Sequence, residues 1–165
     1  MRLSILIIIA FFSAILTPTH ASNFNLDTGF AADASKYNKT LINAVSKAGT
    51  RLIGVGIHGI IIYSDDNGTN WEQATVPTTK TLTDIDCVNK DVCWATGHDA
   101  YILKTTDRGQ NWIIQHQDEI FDAPLLSISM FNENAGIAVG AFAKSLITTD
   151  GGNTWKDFFV TEDEF

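Results

Sequence analysis

Three aspartates recur in one local frame. Asp66, Asp107 and Asp150 each stand two residues after a Ser or Thr and five before a Trp, in SDDNGTNW, TTDRGQNW and TTDGGNTW. Carboxylates act as acids, bases and nucleophiles in glycoside hydrolysis, so a repeated Asp is first weighed as a catalyst. His58 and His98 add two side chains able to ligate a metal or move a proton near neutral pH. Cys87 and Cys93 are the two thiols of the chain.

The same spacing has a mechanical reading. A carboxylate at Asp66, Asp107 or Asp150 accepts hydrogen bonds from N–H groups of its own turn, and Ser64, Thr105 or Thr148 adds a hydroxyl to that network. Gly68, Gly109 and Gly152 supply the positive φ that a side chain resists. Trp71, Trp112 and Trp155 then open the next strand, each ring laid on the sheet with its N–H toward an acceptor. On this reading each motif clamps a turn and serves architecture.

The motif Trp residues lie 41 and 43 residues apart. Gly56, Gly97 and Gly140 each precede the motif Ser or Thr by eight residues; Leu41, Leu82 and Leu125 precede that Gly by fifteen, and Ala44, Ile85 and Ile128 by twelve. A period near 42 is the mark of a repeat fold. Between these landmarks lie short strand-like runs: LINAVS, RLIGVG, IIIYS and NWEQATV in the first copy, LTDIDCV, VCWATG, YILKT and NWIIQH in the second. Four strands per repeat is the arithmetic of a propeller blade. The expected class is all-β: three blades, each a four-stranded antiparallel sheet, forming a partial or open propeller. The blades are expected over 41–81, 82–124 and 125–165, after an N-terminal extension over 22–40.

The pattern S/T-x-D-x-G-x-x-W is the Asp-box, or BNR repeat. With the wider frames GVGIHGIIIYSDDNGTNW and AGIAVGAFAKSLITTDGGNTW, residues 41 to 160 resemble bacterial relatives of the photosystem II stability and assembly factor family. The resemblance implies a non-enzymatic, exported seven-bladed propeller that aids assembly or stability of a membrane protein complex by protein contact. It implies a protein partner and no cofactor. Three repeats are fewer than a ring needs, so the chain is expected to be part of a longer propeller or to complete its ring with copies of itself or a partner. The family is expected to meet its partners through an Arg-rich surface, whereas the chain beyond Arg2 has two Arg, Arg51 and Arg108.

Asp-boxes also occur in sialidases, so a fragment of a sialidase-like or glycan-binding propeller is the alternative. Sialidase chemistry needs three Arg around a substrate carboxylate and a Tyr nucleophile paired with a Glu. Two Arg do not make that set, and Tyr63 and Tyr101 fall in third strands beside the motif. His58 and His98 fall in the turns between second and third strands, one position apart in the repeat frame. With Asp99 they would form a metal or proton-transfer site only if those turns met near one rim, and the third copy has Ala141 and Phe142 there. They are read as turn histidines that would mark a binding rim; His116 is a strand residue without partners. Gly54-Val55-Gly56 lies within a strand and is no dinucleotide loop.

The beginning of the chain, with Arg2, the apolar run LSILIIIAFFSAIL and then Thr19-His20-Ala21, has the form of a signal peptide over 1–21. Export places the chain in a periplasm, in a thylakoid lumen for a photosynthetic source, or outside the cell. In such a compartment Cys87 and Cys93, flanking VNKDV, form a disulfide across a hairpin; two small buried apolar residues are the other reading. The formal net charge of −8 argues against a nucleic-acid partner.

Overall fold

The computed structural model describes residues 29–34, 40–120 and 123–159. The expected signal peptide, and most of the expected extension, lie outside the described residues. Twelve strands follow in order: β1 (Ile42–Ala48), β2 (Arg51–Gly56), β3 (Ile61–Ser64), β4 (Glu72–Gln73), β5 (Leu82–Cys87), β6 (Cys93–Gly97), β7 (Ile102–Thr105), β8 (Ile113–His116), β9 (Leu125–Met130), β10 (Gly136–Gly140), β11 (Ser145–Thr148) and β12 (Lys156–Asp157). They form three four-stranded antiparallel meanders, β1 to β4, β5 to β8 and β9 to β12. These are three blades of a partial propeller, here blades 1, 2 and 3.

The core lies between blades. Ile53, Val55 and Ile61 of blade 1 pack against Leu82, Ile85, Ala95, Leu103 and Trp112 of blade 2. The opposite face of blade 2, with Trp94 and Ile102, packs against Leu125, Ile128, Ala138, Leu146 and Trp155 of blade 3. Strand alternation gives each blade two apolar faces, one toward its predecessor and one toward its successor.

Polar side chains of the innermost strands tie successive blades. Asn43 Nδ2 donates to Leu82 O at 2.6 Å, and Thr83 Oγ1 to Leu125 O at 2.5 Å. Asp84 accepts from Ile128 N at 3.0 Å, and Asp86 from Met130 N at 2.7 Å.

The inner-strand register of blade 1 corrects one expectation. Leu82 lies opposite Gly97 and Leu125 opposite Gly140, but Gly56 lies opposite Ile42, one residue past Leu41. Leu41 O instead accepts from Ile57 N, as Thr81 O does from His98 N and Pro124 O from Ala141 N. Ala44 therefore pairs with Val55 on the face toward blade 2, whereas Ile85 pairs with Ala95 on the face toward blade 1. The tight β1–β2 hairpin, in which Ala48 pairs with Arg51, is the cause. One residue fewer in a hairpin exchanges the faces of a strand. The landmark glycines have a steric reason: a Cβ at Gly56, Gly97 or Gly140 would stand 2.1, 2.4 or 2.2 Å from those same three carbonyl oxygens.

Between the second and third strands of each blade, two consecutive residues take positive φ: His58 and Gly59, Asp99 and Ala100, Phe142 and Ala143. Only one of the six is Gly, although this backbone favours Gly. Ala143 is exposed with φ 60°, so Ala143→Gly is expected to raise stability in urea unfolding by about 0.5–1 kcal/mol. Gly59→Ala is expected to lower it by more, because its Cβ would lie 1.9 Å from Thr78 O.

Candidate functional site

The three motifs occupy the turns joining the third and fourth strands of the blades, and each carboxylate is spent on its own turn. In blade 1, Ser64 Oγ donates to Asp66 Oδ1 at 2.8 Å and accepts from Gly68 N at 2.9 Å. Asn70 N donates to Asp66 Oδ1 at 2.8 Å. In blade 2, Asp107 Oδ1 accepts from Thr105 Oγ1 at 2.8 Å, Gln110 N at 3.1 Å and Asn111 N at 3.0 Å. In blade 3, Asp150 Oδ1 accepts from Thr148 Oγ1 and from Thr154 N, both at 2.9 Å. Gly68, Gly109 and Gly152 have φ of 87°, 83° and 84°.

The second carboxylate oxygen has a donor that the motif pattern does not contain. Asn70 Nδ2, Asn111 Nδ2 and Thr154 Oγ1 reach Asp66, Asp107 and Asp150 Oδ2 at 2.6, 2.8 and 2.6 Å. These residues immediately precede the Trp, and the signal available in the sequence was the choice of Asn, Asn and Thr, all donors, at one fixed place.

These bonds set the charge state. Hydrogen bonds from the Asn70 backbone and side chain, with Ser64, hold the Asp66 carboxyl down at about 2. Burial pushes Asp107 upward, but bonds from Asn111, Thr105 and Gln110 outweigh it and leave the carboxyl below its ordinary value. The Thr154 side chain and backbone lower Asp150. All three are anions near neutral pH with no proton to give, and their lone pairs are directed into their own turns.

The indoles differ by position. Trp71 and Trp112 donate Nε1–H to Gly68 O and Gly109 O, both at 3.0 Å, while Trp155 Nε1 is buried without a partner. Trp112 and Trp155 are 3% and 9% exposed against the preceding blade, but Trp71 is 41% exposed. This corrects the expectation for Trp71: its ring covers its own turn, and no sheet lies on its far side among the described residues.

Cations fasten the turns of blades 2 and 3 to the blade before. Arg51 Nη1 donates to Arg108 O at 2.9 Å while its guanidinium pairs with Asp65 and lies 4.1 Å from the Tyr63 ring. Lys104 Nζ donates to Gly151 O at 2.8 Å and lies 4.7 Å from the Trp94 ring. Both expected Arg are thus used at the first junction.

Cys87 and Cys93 are bonded, closing the β5–β6 hairpin. His58 and His98 are exposed in the β2–β3 and β6–β7 turns, at the second and first places of those turns. Asp99 forms an ion pair with Lys80. Among the described residues no group of His, Cys, Asp and Glu is arranged to hold a metal. His116 is half-buried in β8; desolvation and the nearby Lys144 lower its pKa, and its Nε2 has no partner.

Blades fastened by Asp–Ser/Thr–Trp turns define this chain as an arc of BNR-type propeller. The family model described as Photosynthesis system II assembly factor YCF48 matches residues 63–163, and the chain belongs to that family. Among solved structures, a YCF48 bound to a D1 peptide matches with TM-score 0.63 and 20% identity over 77% of this chain and 45% of that one. YCF48 from Cyanidioschyzon merolae matches with TM-score 0.63 and 19% identity over 75% of this chain and 42% of that one. The chain thus spans less than half of either. An ancestral GH74 enzyme matches with TM-score 0.58 and 17% identity over 77% of this chain and 21% of that one. At these identities the structural likeness is one of fold. No protein of curated function matches the chain in sequence.

Two outcomes follow from the turn geometry. Trp112→Ala is expected to cost about 3–5 kcal/mol in denaturant unfolding and Trp71→Ala about 1–2 kcal/mol, because only the former empties a covered site. Each motif carboxyl has a folded pKa below the ordinary 3.8, so its stabilisation is complete above that value and is lost as pH falls through the lowered folded value, which for Asp66 is about 2. Melting temperature against pH should therefore drop across that window, and Asp107→Asn should reduce the drop.

Proposed function

We propose that the chain works as an exported, non-enzymatic propeller scaffold that aids the assembly or stability of a membrane protein complex by protein contact. Photosystem II is the case its family names. The observation that carries this reading is the family match over residues 63–163. The turn chemistry agrees with it: all three motif carboxylates are ionised and bonded within their own turns. A YCF48 of similar fold is bound to a D1 peptide, which supports a segment of a membrane protein as the partner. His58 and His98, exposed on neighbouring blades, mark the rim assigned to that contact.

A glycan-binding or sialidase-like fragment is the second reading and draws on fold likeness to a GH74 enzyme. It has neither the three-Arg set nor a motif carboxylate with a proton to give at neutral pH.

Titration with a D1 peptide, followed by calorimetry, is expected to show saturable binding. His58→Ala with His98→Ala should weaken it at least about tenfold without moving the melting temperature. Absence of binding together with turnover of a glycoside would overturn the scaffold reading. Export is tested separately: the protein recovered from the native compartment is expected to begin at Ser22, after removal of residues 1–21, and an intact N-terminus would refute cleavage.

A further inference from the structure

The two internal junctions differ at their outer edges, where one is apolar and the other carries charge. At the junction of blades 1 and 2, Ala74 N donates to Ile61 O at 2.9 Å, and Ala74 is buried together with Tyr101 of the next blade. One repeat later the residue opposite Ile102 is His116, and Lys144 takes the place of Tyr101, four residues after the landmark Gly. The β7–β8 pairing shifts register between Ile102 and Leu103, and this shift is what sets His116 opposite Ile102.

Lys144 links the two blades. Its side chain is 10% exposed, and its Nζ pairs with Asp118, just beyond β8, at 3.3 Å and with Asp157 of β12 at 2.9 Å. His116 lies beside these three groups, half-buried, its Nε2 buried and without a partner among the described residues. The charges acting on its ring are Asp118 from its own blade, and Lys144 and Asp157 from blade 3; Ile102, across the ladder, carries none. Asp118 N also donates to Asp99 O at 2.9 Å, which joins the cluster to the β6–β7 turn.

We propose that His116 and Lys144 form a proton-sensitive latch between blades 2 and 3, shut while the imidazole is neutral and loosened when it takes a proton. A proton on His116 sets a second, partly desolvated cation beside an ammonium that already engages both carboxylates. Asp118 and Asp157 attract the new charge, but burial and Lys144 outweigh them and hold the His116 pKa below its ordinary 6.5. The folded junction therefore binds this proton less well than the unfolded chain does. Its stability is complete above 6.5 and falls as the pH drops from there toward the lowered folded value. That window begins well above the ordinary 3.8 of the motif carboxyls, so the two acid effects are separable.

Hydrogen exchange on the full chain, corrected for the intrinsic pH dependence of exchange, tests the latch. Protection at Ala138 and Leu146 of blade 3 is expected to fall at least about threefold between about pH 7.5 and about pH 5, while that at Ile53 and Val55 of blade 1 holds. His116→Gln, which does not titrate, should abolish the difference. Lys144→Met leaves the carboxylates to receive the imidazolium, and should move the His116 titration, followed by NMR, to above 6.5. The wild-type exchange profile and His116 titration stand as tests even if a variant fails to fold. Constant protection in blade 3, a fall shared equally by blade 1, the same fall in His116→Gln, or a wild-type His116 titrating at or above 6.5 would each overturn the latch.

Discussion

The structure depends on one carboxylate-fastened turn, used three times. A motif Asp takes both its oxygens into the turn, and this fixes where the following Trp leaves it. In blades 2 and 3 the indole then lies on the preceding sheet, and the motif Gly sits so close to that sheet that a Cβ at Gly109 would stand 2.6 Å from Ile53 Cδ1. The local hydrogen bonds are each modest in net value. Their effect is geometric: they deliver a large aromatic surface to the blade interface at a set depth, where its burial stabilises most. The cation of the preceding blade then holds the carbonyl that follows the Asp, through Arg51 at one junction and Lys104 at the other.

Those two cations show why some of the architecture could be read from sequence and some could not. The turn is local: Ser or Thr, Asp, Gly and Trp act within eight residues, so spacing alone defines it. The blade count and the four-strand meander follow from three in-register copies. The link to the neighbouring blade is not local. Arg51 arises from the second strand of its blade and Lys104 from the third, so no repeat frame aligns them, and only the folded chain shows that they reach the same carbonyl position. Asp84 and Asp86 look like surface acids in LTDIDCV, yet they accept the backbone N–H groups of Ile128 and Met130.

Leu41 gives the opposite lesson. Counting back from Gly56 aligns it with Leu82 and Leu125, but a hairpin shorter by one residue moves that role to Ile42. A period of two along a strand makes such a slip decisive, because every side chain beyond it changes face. Trp71 stands in the same sequence frame as its counterparts and differs in having no blade behind it among the described residues, which no local pattern records.

The same architecture bears on where function resides. Catalysis needs a group that is free to exchange a proton or to meet a substrate, and the motif acids are neither: depressed pKa values and three or four hydrogen bonds to each carboxylate make them part of the frame. In a repeat array stability is approximately a sum of blade and nearest-neighbour terms. Blade 2, covered on both faces, is therefore the firmest part of the described residues, within which blades 1 and 3 each have one such term fewer. The surface available for binding is then of two kinds. The rims, where the β2–β3 and β6–β7 turns present polar and titratable groups, can change contacts without disturbing the packing beneath. The two end faces are apolar, and anything seated there becomes structure, since it supplies the interface term that the end blade lacks.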